Sequence, residues 1–224
     1  MNNYVITEID NAQKKMSAYI TLLSYRYMNL CVKAELGSLM PVNVYLGDEA
    51  YNIEDVANIY SPDEFRFSVY PKNDNNLQAI VQGVYEAHPE FKTDMKTSTD
   101  GDSSYILYTM PDVDESRHDI LQEAIKGLYE ECCGRLDAIH VEFKERLLEN
   151  LTKVGVSEAE TDEALQALND LHKRSLSMAD KQLDQKQNEI DEALTHYLEE
   201  KTRKTEEEPE FDITKGFRMF PTDS

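Results

Sequence analysis

The chain has 224 residues, enough for one domain of ordinary size or two small ones. Charged residues make up 30% and hydrophobic residues 40%, a balance that suits elongated helices with much exposed face better than a thick core. The net charge of −21 at pH 7 argues against non-specific binding to nucleic acid or to an anionic membrane, since both would be repelled.

The first predicted element is a helix. Ile6, Ile9, Gln13, Met16, Ile20, Leu23, Tyr27, Leu30 and Ala34 alternate spacings of three and four, a heptad stripe with one polar member. Gly37 is expected to stop it, with Pro41 just beyond. Val42–Leu46 alternates as a strand, and Gly47 and Asp48 supply a turn. Val56–Tyr60 and Phe65–Tyr70 are the next strands, with Pro62 and Asp63 as the turn between them. Asn75–Ala87 is expected as a short helix with Leu77, Ile80, Val81 and Val84 on one side. Phe91–Thr97 and Tyr105–Met110 then flank Thr99-Asp100-Gly101-Asp102, a hairpin signal.

After Pro111 the helical pattern returns. Asp112 is expected to cap the new helix, with Glu115 as its reciprocal partner. Leu121, Ile125, Leu128, Cys132, Leu136, Ile139 and Phe143 form its stripe, and Gly155 breaks it. Ser157 and Glu160 make a capping box for a third helix. There Leu165, Leu168, His172, Leu176, Ala179, Leu183, Ile190, Leu194 and Tyr197 carry the stripe towards Lys201. Three apolar stripes in one chain predict a three-helix bundle, and the short Val154–Val156 link makes its last two helices antiparallel neighbours. The expected fold is therefore α+β. A discontinuous bundle spans residues 1–38 and 111–203, a small β/α/β domain is inserted at 39–110, and a tail follows at 204–224. The tail carries Phe211, Phe217, Met219 and Phe220. Either these dock back onto the body, or Phe211, Phe217 and Phe220 anchor a protein partner.

Signals for chemistry are sparse. The three cysteines, Cys31, Cys132 and Cys133, form no CxxC and point to a reducing, cytoplasmic setting. The start has neither a basic nor an apolar signal region, and no apolar run approaches the ~20 residues that cross a bilayer. There is no P-loop and no GxGxxG. His140 and Glu142 form an H-x-E, but the later P-C-x-x-C of the zinc deaminases is missing. His140 is expected to be solvated, and His88, His118, His172 and His196 are scattered. A calcium loop at Asp94, Ser98, Asp100 and Asp102 lacks its glycine at position six. Cys132 reads as core and Cys133 as its neighbour, not as a redox pair. No metal, no cofactor and no enzymatic activity are expected.

The order of these pieces resembles ribosome recycling factor, a family of translation factors. Val42–Gly47 looks like that family's VEYYG strand and turn. Ile53–Asn58 looks like its L-x-x-V/L-A step, and Phe67–Pro71 like I-x-V-F/Y-D. Pro111, Glu115, Arg117 and Leu121 fall in register at the domain boundary, and Val154–Glu158 resembles its K-E-I-S-E-D corner. The resemblance covers roughly residues 1–201 and implies the bundle with its insert, a silhouette like a transfer RNA. It also implies binding to the ribosome (large subunit) and cooperation with a translational GTPase. In the family, arginines at the boundary and on the second bundle helix hold ribosomal RNA. In this register those positions are Leu107, Cys133, Asp137, His140 and Val141, while Arg117 and Lys126 keep a positive charge. Positions 126, 133, 137, 140 and 144 follow the core stripe by one residue and are expected to face outward. Arg117, Lys126, Arg135 and Lys144 are the residual RNA contacts to expect, and each lost cation weakens phosphate binding. The alternative is a protein-interaction module on the same scaffold, with no ribosome binding.

Overall fold

Three long helices, α1 (Asn3–Met28), α5 (Glu115–Val154) and α6 (Glu158–Glu207), pack on one another and form the bundle. This computed structural model describes residues 3–97, 104–154 and 157–207. Between α1 and α5 lie the short helices α2 (Leu36–Leu39) and α3 (Ile53–Val56), the strands β1 (Asn43–Leu46), β2 (Glu49–Asn52), β3 (Ala57–Asp63) and β4 (Arg66–Pro71), the helix α4 (Leu77–Ala87), and the strands β5 (Lys92–Thr97) and β6 (Ser104–Thr109).

The bundle core takes Met16, Ile20, Leu23 and Tyr27 from α1, as the heptad stripe predicts. Earlier in α1 the stripe lies one residue before the expected one. Val5 and Ala12 are buried while Ile6 and Gln13 are exposed, which places the small Ala12, not a polar amide, at the helix contact. On α5 the expected stripe is buried except for Leu128, which is partly exposed, and Leu147 extends it. The face of α6 differs more. Its buried line is Ala164, Leu168, Leu171, Ser175, Ala179, Lys186, Ile190 and Ala193, whereas Leu165, His172, Leu176, Leu183, Leu194 and Tyr197 sit half-buried along the flanks. The small residues let the helices approach, and the leucines cover the seam. Each fully buried leucine or isoleucine contributes about 1.5–3 kcal/mol of burial.

Helix ends also depart from expectation. α1 stops at Met28, not near Gly37, because Leu30 N–H and Cys31 N–H turn back to the Tyr27 and Met28 carbonyls and Cys31 adopts φ 51°. Gly37 instead lies inside α2. The cap of α5 is Asp114, not Asp112: its Oδ1 accepts from Arg117 N at 2.8 Å, which satisfies one of the free N–H groups of the first turn. Ser157 caps α6 as predicted, its Oγ accepting from Glu160 N at 3.3 Å, and the Glu160 carboxylate reaches back to accept from the Ser157 hydroxyl at 3.0 Å.

The insert contains a hairpin of β1 and β2 around Gly47 (φ 67°) and a four-stranded antiparallel sheet in the order β3-β4-β6-β5. Strand β2 follows the expected Gly47–Asp48 turn, in residues where no strand is expected. Pro62 and Asp63 are not the reversal either. They belong to β3, at an irregularity between Tyr60 and Asp63, and the chain reverses at Glu64 and Phe65. An edge strand such as β3 tolerates Pro62, since no ladder N–H is required on its open side. The expected loop at 99–102 and Gly155 lie outside the described residues. Phe67, Val69, Ile106 and Tyr108 of β4 and β6 share a second core with Val44 of β1 and Ile80 and Val84 of α4. The chain thus has two cores, and it passes between them at residues 29–35 and 110–114.

Candidate functional site

The stripe on α5 that the resemblance singles out is not a bare outer face. Lys126 and Lys144 are exposed, but the positions between them border α6. Asp137 Oδ1 accepts from His172 Nε2 at 2.8 Å, and His140 Nε2 lies 2.8 Å from Asn169 Oδ1. The rings of His140 and His172 stack with centroids 4.5 Å apart, so His140 is half-buried in the seam and not solvated as expected. Tyr129 donates to Asp180 at 2.6 Å, which, with Cys133 beside it, holds the phenol well above its ordinary pKa. Burial pushes the Cys133 thiol up, and burial pushes Cys132 up to about 11. Both thiols therefore stay protonated and poorly nucleophilic at neutral pH. The seam is a polar zipper between α5 and α6, and Cys133, Asp137 and His140, which the resemblance singles out, lie in or beside it. Val141 is exposed, and Leu107 is half-buried on β6 opposite Ser68 and Asp94.

Arg117 is held by backbone carbonyls at the junction between the two cores. Its guanidinium donates to the carbonyls of Pro111 and, at 3.4 Å, Asp112 on one connector. It also donates to those of Leu30 and Cys31, at 3.3 Å each, on the other. One side chain thus ties together the two strands of chain that join the cores, and its partial burial lowers its pKa while leaving it charged. Arg135 and the exposed Lys126 and Lys144 form no ion pair among the described residues. Arg26 and Lys15, by contrast, bridge α1 to α5 through Glu131 (2.6 Å) and Glu142 (3.0 Å). The tail positions Phe211, Phe217 and Phe220 lie outside the described residues.

Where the insert meets the bundle there is a cleft of about 640 Å³, lined by Val32, Phe65, Arg66, Met110, His196 and Tyr197 among others. Phe65 leans across it onto the His196 ring, with centroids 4.7 Å apart. Among the described residues one group could hold a metal: Cys31, His88 and Glu90, from the first connector and the end of α4. Sequence reading misses it, because His88 and Cys31 are far apart in the chain and neither sits in a motif.

The comparisons with known proteins follow the same lines. A family model described as ribosome recycling factor matches residues 28–190. A solution structure of a ribosome recycling factor superposes with a TM-score of 0.66 at 20% identity, covering 85% of this chain and 98% of that one. A second match is to a structure described as models for the T. thermophilus ribosome recycling factor and the E. coli elongation factor G bound to the E. coli post-termination complex. It has a TM-score of 0.57 at 19% identity and covers 83% of this chain and 98% of that one. No curated protein matches the sequence. At these identities the structural likenesses carry the fold alone.

Proposed function

The chain belongs to the ribosome recycling factor family, and from that premise we propose that it acts in translation, as a non-enzymatic factor at the post-termination ribosome. The observation that carries this reading is the span of the family match, which runs through the whole insert, all of α5 and most of α6. In this proposal the bundle is a rod and the insert (39–110) a lever at one end; α6 runs on through Glu207, past the expected tail boundary at 204. The similar factor seen with elongation factor G on the post-termination complex supports a ribosomal partner and a translational GTPase. On this reading Lys126, Arg135 and Lys144 supply the RNA contacts. Arg117 is assigned to the hinge, since its donors are spent on carbonyls.

Co-sedimentation with purified large ribosomal subunits across a salt series tests this. Binding is expected at low salt. With three contacting cations proposed, the slope of log affinity against log salt should be shallow, no steeper than about −3. A well-folded protein that stays in the supernatant at low salt sinks the proposal. A second reading, a protein-interaction module, is favoured by one observation: Asp137 and His140 are engaged with α6 where the family carries RNA-binding arginines. Under it, deletion of residues 205–224 should abolish capture of a protein partner through Phe211, Phe217 and Phe220. Unchanged capture removes the tail from consideration.

A further inference from the structure

Cys31, His88 and Glu90 bring three electron-pair donors to one point, with ligand atoms all within 4.8 Å of one another. Cys31 follows α1 and points into the core of the insert, His88 caps the C-terminus of α4, and Glu90 lies in the loop before β5. The His88 ring is fixed on two sides. It stacks on Phe91 with centroids 4.5 Å apart and planes 7° from parallel, and its Nε2 lies 2.9 Å from the buried Ser38 carbonyl. A carbonyl only accepts, so Nε2 carries the proton and Nδ1 presents a lone pair. That lone pair faces Cys31 Sγ at 3.6 Å and Glu90 Oε1 at 3.3 Å.

The Glu90 carboxylate and the Nδ1 lone pair thus face the same point. The thiol has a second acceptor in the Asn29 carbonyl, at 3.5 Å, so its one proton cannot serve every acceptor nearby. A cation between the three would accept all of these lone pairs at once. Tetrahedral zinc, with bonds of roughly 2.3 Å to sulfur and 2.0 Å to nitrogen and oxygen, sets S···N near about 3.6 Å and N···O near about 3.3 Å. The Sγ···Nδ1 and Nδ1···Oε1 separations seen here agree, and Sγ lies within 4.8 Å of the Glu90 carboxylate. A carbonyl that accepts from the far nitrogen of the imidazole is what a metal-bound histidine normally has.

We infer that Cys31, His88 and Glu90 form a three-ligand site for a thiophilic divalent cation of the zinc class, with water as its fourth ligand on the exposed side of Glu90. Thiolate, neutral imidazole and carboxylate cancel the dication, so the largely buried cluster carries no net charge. Without metal, burial and the Glu90 carboxylate push the Cys31 thiol up to about 12, so binding displaces a proton from sulfur. The site pins the connector after α1 to the end of α4 and stiffens the junction between the two cores. This assignment is independent of the proposed role in translation.

The test is titration of the full-length chain with Co²⁺, followed by absorbance, and with Zn²⁺, followed by calorimetry. Excess Mg²⁺ suppresses loose binding to the acidic surface. One equivalent of cobalt should give a thiolate charge-transfer band, and Cys31→Ser should abolish it. Glu90→Gln replaces a solvent-exposed side chain and should weaken zinc at least about tenfold. Zinc should also raise the melting temperature of the wild type more than that of Glu90→Gln. Absence of a thiolate band overturns the inference, as does a band that survives Cys31→Ser and so arises from Cys132 or Cys133. If Cys31→Ser fails to fold, Glu90→Gln decides alone, and wild-type zinc affinity in that variant overturns the site.

Discussion

The carboxylate of Asp191 on α6 accepts from His118 Nε2 at 2.8 Å and from Gln122 at 3.1 Å, both on α5. The Asp191 hydrogen bond holds His118 above its ordinary pKa of 6.5, helped by the nearby Asp119. A raised pKa means that the folded state binds the proton more tightly than the unfolded one. The pair's contribution is therefore complete below pH 6.5 and is lost as pH rises through the raised value. Thermal melts across that window should show the wild type losing stability with pH, and Asp191→Asn should remove this component; a slope unchanged in Asp191→Asn would contradict the assignment. This coupling is not legible in the sequence, where the five histidines look scattered. Residues on different helices meet only once the α5–α6 register is known. The role of Arg117 escapes the sequence for a related reason: sequence shows a charge, but not whether that charge faces solvent or backbone carbonyls.

Among the elements, α4 and α5 use glycine in opposite ways. A Cβ added at Gly83 of α4 would lie 2.4 Å from the Asn43 carbonyl oxygen of β1, a backbone atom that cannot step aside. Gly127 and Gly134 of α5 have nothing within 4 Å of such a Cβ. Gly83→Ala should therefore destabilise the chain by about 1–3 kcal/mol through overpacking. Gly127→Ala and Gly134→Ala should each stabilise it by roughly 0.5–1 kcal/mol, by removing backbone freedom from the unfolded chain. Chemical denaturation of the three variants checks both signs. Element types are largely legible, since periodicity and turn signals locate α1, α4, α5 and α6 and five of the six described strands, all but β2. The phase of α6 is not. Its large leucines look like the core, yet Ala164, Ser175 and Ala193 join the expected Ala179 in it, because close helix approach selects small residues that hydrophobicity alone does not mark.

On the scale of the whole molecule, the layout is legible because two different periods alternate along one chain, and the family match and the superposed structures agree with it. What the sequence does not disclose is how closely the two connectors run. The Phe65 carbonyl accepts from Met110 N at 2.8 Å, and the Glu64 carbonyl accepts from Ala34 N at 2.7 Å, so entry and exit of the insert are stitched to the same turn. That stitching bears on the order in which the chain assembles. Contact between α1 and α5 must close the whole segment between Met28 and Glu115, an entropic cost that grows with loop length. A folded insert brings those two ends together in advance and leaves a short effective loop. If the insert folds first, which its completion before α5 and α6 emerge during synthesis allows, it is expected to nucleate the bundle. In stopped-flow refolding, a cavity at Val69 should slow helix formation by the bundle, whereas one at Leu136 should chiefly speed unfolding. If Val69→Ala leaves the bundle's folding rate untouched, the two cores assemble independently.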